Sequence, residues 1–422
     1  MKYKKSTLPN GLRVIAVPVK GNPAVMVQVV VETGSNYETR AQNGLSHFLE
    51  HMCFKGTKRR PKASDIAREL DGLGAENNAF TSNELTSYYA KAAKKHFPKL
   101  FDIVADLYLN PTLPEKDLEI ERGVILQEAS MYEDLPQRKV WEVLYKLLYG
   151  DVPAGRTILG LKQNIKNFSR KDFVNYRNLH YVPSKTFVVV AGDVREKDVL
   201  NKAKKYFKDM PKGKKVSQLP VVDKQSKPAL LVEYKKTDQT HMILAFRAFG
   251  ANDKKLPALN LIAEILGQGM SSRLSHRLRD EMGACYYVKA YTDEYTDHGL
   301  FTIATGINAS RTEEVTKALL EECRKLSHVP VPELELEKAK EHFIGHMFMG
   351  LEATDDIATF YAGQEVLTKK LKTPQEIEKD MRKVTAKDIM KLAKEIFRNN
   401  RLNLAIVGDV KNSARLKKVL KI

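Results

Sequence analysis

Apolar residues recur along GLSHFLEHMCFKGT (44–57) at Leu45, Phe48, Leu49, Met52 and Cys53. That i, i+3, i+4, i+7, i+8 spacing is a core-facing stripe and predicts a helix, with His47, Glu50 and His51 together on the opposite side. The apolar runs AVMVQVVVETG (24–34) and HMILAFRAFG (241–250) read as strands ending at a glycine, and GAENNAFTSNELTSYYA (74–90) reads as a further strand. A second helix is predicted from near Pro114, carrying Glu121, Ile125, Glu128 and Tyr132 along one face.

The pattern repeats. SRKDFVNYRNLHYVPSKTFVVVAGDV (169–194) resembles TAKDIMKLAKEIFRNNRLNLAIVGDV (385–410), with Ser169 on Thr385, Asp172 on Asp388 and Gly192-Asp193-Val194 on Gly408-Asp409-Val410, 216 positions apart throughout. Each copy reads as a helix opened by a capping box, then an apolar strand and a Gly-Asp turn. The same offset carries Gly34 to Gly250, which implies a gene duplication. A polar segment containing Pro and Lys follows residue 210, so the expected domains are 1–212 and 229–422, joined by a linker at 213–228. The expected fold class is α+β: two homologous α/β halves, each a mixed sheet packed with helices. The offset also places His47, Glu50 and His51 on Ala263, Leu266 and Gly267. The second copy keeps the helix without its polar face, so the histidines serve something other than packing.

Composition narrows the class. The chain is 43% hydrophobic and 29% charged over 422 residues, enough for sizeable cores in two or more domains. No apolar run reaches membrane-spanning or signal-peptide length, so a cytoplasmic protein with no membrane partner is expected. Cys53, Cys285 and Cys323 lack CxxC spacing and suggest neither a disulfide framework nor a thiolate metal site. The net charge of +18 comes from basic residues interleaved with acids and accompanied by no nucleic-acid-binding motif, so no nucleic-acid partner is expected.

The polar face of the first helix carries the chemistry. Ten histidines in this chain give about 0.24 i, i+4 pairs by chance, but HxxEH only about 0.03 times. The pair His342 and His346 is therefore unremarkable, whereas HFLEH points to a divalent metal. A catalytic zinc takes three protein ligands, so one more donor must come from elsewhere. Spacing alone does not choose it among the acids of the second helix.

With these residues the chain resembles the pitrilysin-type, or inverted zincin, peptidases, and is most like the two-domain members related to mitochondrial processing peptidase. Their signature is HxxEH followed, after 76 residues, by Glu; here residues 52–127 separate His51 from Glu128. The resemblance implies that His47, His51 and Glu128 hold one Zn2+ per chain and that Glu50 acts on water. It implies that Glu121, seven residues before Glu128, orients a ligand histidine. Asn78, Ala79 and Phe80 match the strand that pairs with an extended peptide substrate, and Arg279 and Tyr286 match an Arg-x6-Tyr pair that contacts substrate.

The function expected on this basis is a zinc-dependent endopeptidase acting on short or unfolded peptides. The alternative is a non-catalytic scaffold or partner subunit of a heteromeric peptidase. A homodimer is the expected assembly, with a heterodimer with a related subunit as the other arrangement.

Overall fold

The computed structural model describes residues 2–214 and 216–422. The first half of the chain supplies strands β1 (Lys4–Thr7), β2 (Arg13–Pro18), β3 (Ala24–Val31), β4 (Glu76–Thr81), β5 (Thr86–Ala93) and β6 (Thr186–Gly192). Its main helices are α1 (Leu45–Cys53), α2 (Ala63–Gly72), α3 (Phe97–Leu109), α4 (Glu115–Glu133), α5 (Pro136–Tyr149), α6 (Lys162–Asn167), α7 (Arg170–His180) and α8 (Glu196–Phe207). The second half supplies β7 (Ala229–Tyr234), β8 (Thr240–Ala248), β9 (Cys285–Glu294), β10 (Gly299–Ile307) and β11 (Leu402–Gly408). Its helices include α9 (Leu256–Gly267), α10 (Thr312–His328), α11 (Glu333–Met349), α12 (Thr354–Leu367), α13 (Pro374–Arg382) and α14 (Ala386–Ile396).

The two sheets repeat one topology. The first runs β1-β2-β6-β3-β5-β4 and the second β7-β11-β8-β10-β9. Each contains one parallel pair, β2 with β6 and β7 with β11, and is otherwise antiparallel. Apart from β1, every strand of the first sheet has a counterpart in the second, as the duplication predicts. The two capping boxes also form, Ser169 with Asp172 and Thr385 with Asp388. The expected mixed α/β fold with two sheets is present.

Each sheet is covered on both faces, which is why its central strands are apolar almost throughout. On β3, Val25, Val27, Val29 and Val31 face a core shared with α1 and α3, while Met26 and Val30 face a second core. That second core is closed by Ile357, Ala358, Tyr361, Ala362 and Val366 of α12, from the other half of the sequence. The reverse holds for the second sheet, where Val140, Val143, Leu144 and Leu148 of α5 cover Ile243, Ala245, Ala405 and Val407. The duplicated halves have thus exchanged equivalent helices. One compact unit comprises residues up to Ala129, Arg156–Leu219 and Gly350–Thr373; the other comprises Ser130–Gly155, Pro220–Met349 and Pro374–Ile422. The linear domains 1–212 and 229–422 differ from these units by 130–155 and 350–373, and the expected linker 213–228 is divided between the units after Leu219.

The 74–90 stretch also differs from a single strand. It forms a hairpin of β4 and β5, with Ser82 N–H bonded to the Leu85 carbonyl across the turn.

Candidate metal centre

Helix α1 forms where the apolar stripe places it. Leu45, Phe48, Leu49, Met52 and Cys53 are all buried in the first unit's core, which fixes the rotation of the helix and aims His47, Glu50 and His51 to the other side. Helix α4 presents Glu121 and Glu128 to them, while its own Leu118 and Ile125 enter the core.

The donor atoms of His47, His51 and Glu128 all lie within 4.8 Å of one another, and among the described residues no other group of His, Cys, Asp and Glu meets that spacing with three donors. Glu128 Oε2 is 3.8 Å from Nε2 of His47 and 3.8 Å from Nε2 of His51. Donors about 2.1 Å from a tetrahedral zinc stand roughly 3.4 Å apart, so this two-imidazole, one-carboxylate set fits zinc with shifts of a few tenths of an ångström. His51 Nδ1 lies 2.8 Å from Glu121 Oε1, which leaves Nε2 turned toward Glu128. Lys55 forms a close ion pair with the other Glu121 oxygen. Thr81 Oγ1, at the end of β4, donates to Glu50 Oε2 at 2.7 Å.

Burial and neighbours separate the protonation states. Burial, with the nearby His51, pushes His47 down to about 3, so its imidazole is neutral at neutral pH. Burial would lower His51 too, but the Glu121 hydrogen bond and the charges of Glu50, Glu121 and Glu128 outweigh it and raise the group. Burial raises Glu50, with Glu128 adding, against the Thr81 bond and His51. Glu121 feels the opposite balance: burial would raise it, yet its bonds to His51 and Lys55 hold it low. The site therefore contains one carboxyl held above its ordinary range and one held below it, each beside an imidazole.

The other singled-out residues have plain positions. Asn78, Ala79 and Phe80 lie on β4, the edge strand of the first sheet, and Phe80 is 36% exposed. In the other unit, Arg279 is exposed on a π-helical turn, Ser275–Glu281, and Tyr286 on β9 is 81% exposed. Glu281 pairs with Arg277 at 2.6 Å; among the described residues Arg279 has no salt bridge. His342 and His346 stand with ring centroids 4.3 Å apart on α11, and Glu264 of α9 holds His342 Nδ1 at 2.6 Å. Thr81 and Lys55 escaped the sequence reading, since neither belongs to a spacing pattern with the residue it touches.

Two sequence profiles match the chain: "Insulinase (Peptidase family M16)" over residues 13–162 and "Peptidase M16 inactive domain" over residues 167–343. An uncharacterized zinc protease of Bacillus subtilis, YmxG, is 32% identical over 398 residues, covering 93% of this chain and 95% of its own. The human mitochondrial-processing peptidase subunit beta is 32% identical over 425 residues, covering 98% and 86%. Among solved structures, a protease from Helicobacter pylori superposes with a TM-score of 0.89 at 24% identity, over 96% of this chain and 99% of that one, a likeness of fold. With similarity at this level along nearly its whole length, the chain belongs to peptidase family M16, the insulinase family, whose members include proteins named zinc proteases.

Proposed function

We propose that the protein is a zinc-dependent endopeptidase that hydrolyses short or unfolded peptides, with His47, His51 and Glu128 holding one zinc ion. The observation that carries this reading is the convergence of those three donors beside a buried glutamate, Glu50, that is not needed as a ligand. Zinc, when bound there, supplies Lewis acidity that polarises a peptide carbonyl and lowers the pKa of water toward 7. Glu50 then accepts the proton of the attacking water and returns it to the departing amine, a role suited to a carboxyl raised by burial. Thr81 fixes one oxygen of Glu50 and leaves the other for that proton. Glu121 holds His51 in the tautomer that offers Nε2 to the metal.

Substrate enters this reading through the edge strand. A peptide added alongside β4 at Asn78, Ala79 and Phe80 would be held by main-chain hydrogen bonds, which explains tolerance of sequence, and would run toward Thr81 and Glu50. Arg279 and Tyr286 are assigned to substrate contacts on the family resemblance, consistent with their exposure. Kinship with a protein named as a subunit supports an assembly of two related chains, either a homodimer or a heterodimer.

The test joins metal analysis with a peptide digest. The purified protein should carry one equivalent of zinc and cleave peptides, and Glu50→Gln should keep the zinc while losing hydrolysis. Equal peptidase rates for the variant and the parent would remove Glu50 from the chemistry. A parent loaded with zinc but inactive on every peptide would favour the scaffold reading.

A further inference from the structure

Helix α1 begins at Gly44, which has no side chain to cap it, and the first intrahelical bond runs from Phe48 N–H to the Gly44 carbonyl at 3.0 Å. His47 therefore sits in the first turn, ahead of the hydrogen-bond ladder that holds the rest of the helix. His51, one turn later, has both the ladder and Glu121. Something else must fix the turn that carries His47.

Glu38 occupies that position. Its side chain is buried, and one oxygen accepts the Ser46 N–H at 2.6 Å while the other accepts the Gly44 N–H at 2.8 Å and Asn43 Nδ2 at 3.2 Å. One carboxyl thus satisfies two of the orphan donors at the helix start, at the end where the helix dipole favours an acceptor. The seat is closed from the other side. Asn43 Nδ2 also reaches the Thr157 carbonyl at 3.0 Å, and a Cβ on Gly44 would meet Gly160 Cα at 2.8 Å. Gly44 adopts φ +101°, so glycine is required there on both counts. Burial pushes the Glu38 carboxyl up to about 7 against the pull of its bonds from Ser46, Gly44 and Asn43. Either protonation state keeps an acceptor for each backbone N–H, so the seat depends on two oxygens rather than on charge alone.

From this geometry we infer that Glu38 is a positioning residue of the metal centre: it anchors the first turn of α1 and thereby sets where His47 delivers its imidazole. The inference rests on the proposed zinc site and adds to it a residue that touches neither metal nor substrate. Replacing Glu38 by Gln leaves one acceptor oxygen and turns an NH2 group toward a backbone N–H, so the turn should shift with little change in volume.

The experiment is a double-mutant cycle read by zinc affinity, measured on apoprotein by competition with a chromophoric chelator at a temperature well below unfolding. Glu38→Gln should weaken zinc binding about 10-fold, in the range of losses seen when groups orienting a ligand are removed. In a His47→Ala background the same change should cost less than about twofold, because the imidazole it positions is gone. Equal weakening in both backgrounds, or a variant that binds zinc as the parent does while melting at lower temperature, would make Glu38 a structural residue only. Glu38→Asp is the second variant. Where Gln folds, Asp should bind zinc more tightly than Gln does, and affinity no better than that of Gln overturns the inference. Where Gln does not fold, Asp should weaken zinc binding more in the parent than in the His47→Ala background, with equal weakening in both overturning the inference. Failure of the zinc site itself appears separately, as zinc uptake by the parent that His51→Ala does not reduce.

Discussion

At the scale of single residues, the site sorts its ionisable groups by what each one touches. Glu121 differs from Glu50 in having two cationic or potentially cationic partners, His51 and Lys55, and that keeps it ionised as a brace. Glu121→Gln should weaken zinc affinity by about 10–100-fold and leave the fold intact, measured by chelator competition. A second residue-scale expectation concerns His180, which is buried against Tyr176 with ring centroids 4.2 Å apart. Burial, with the charge of Lys185, pushes it down to about 4 from its ordinary 6.5. A base with a depressed folded pKa stabilises the fold fully above 6.5 and loses that contribution as pH falls through 4, because the unfolded chain takes up the proton first. Urea unfolding at pH 7 and at pH 4 should show this acid-side loss, up to roughly 3 kcal/mol from this one group. His180→Phe should shrink the difference; an unchanged difference would rule His180 out as its source. The residue-scale reading from sequence succeeded where spacing encodes contact: HFLEH places three groups on one helix face, and its apolar stripe decides which face. Glu38 and Thr81 were not legible, because their partners lie on other elements and no periodicity joins them.

At the scale of elements, helix identity was more legible than helix placement. The pattern of α4 and the capping boxes of α7 and α14 could be read locally, and so could the strands on either side of the duplication. The hairpin at 74–90 was missed because its turn, Ser82 to Leu85, lacks the Asn-Gly or Asp-Gly pair that marks a two-residue loop. The exchange of α5 and α12 was missed for a deeper reason: an amphipathic helix states that it has an apolar face, not which of two homologous sheets will cover it. What keys α12 to its sheet is polar. Glu365, fully buried, accepts from Lys5 Nζ at 2.6 Å and Arg13 Nη1 at 2.9 Å, on β1 and β2. Glu365→Ala leaves the Lys5 ammonium with the Lys369 carbonyl and Arg13 with Glu32, removes the buried carboxylate that joins them, and should destabilise the protein by about 3 kcal/mol. Calorimetry should register this as a fall of several degrees in the melting midpoint; no fall would mean that the apolar core holds α12 unaided.

At the scale of the whole molecule, the duplication gives two units with the same sheet order, only one of which has three convergent metal donors among its described residues. In the other, the helix pair α9 and α11 still brings an acid and two histidines near one another, but without three converging donors. The exchange means that neither half of the sequence contains a complete unit. A fragment ending at residue 212 would leave Ile15, Val17, Met26, Val30, Phe187 and Val189 without the helix that covers them. Expressed alone, it should bind a hydrophobic dye and aggregate; co-expressed with residues 213–422, it should become soluble. A monomeric, dye-silent 1–212 fragment would show that the sheet does not need α12.

The same crossing has a consequence in time. A ribosome builds the first sheet by residue 192 but does not reach the last residue of its covering helix until residue 367. At about 5–20 residues per second, that leaves the apolar face of the sheet waiting roughly 9–35 s in the nascent chain. Throughout that interval the face of the sheet that α12 will cover is open to any chaperone, or any other nascent chain, that meets it. Synthesis rate over residues 193–367 thus becomes a determinant of yield, although those codons specify none of the proposed zinc ligands.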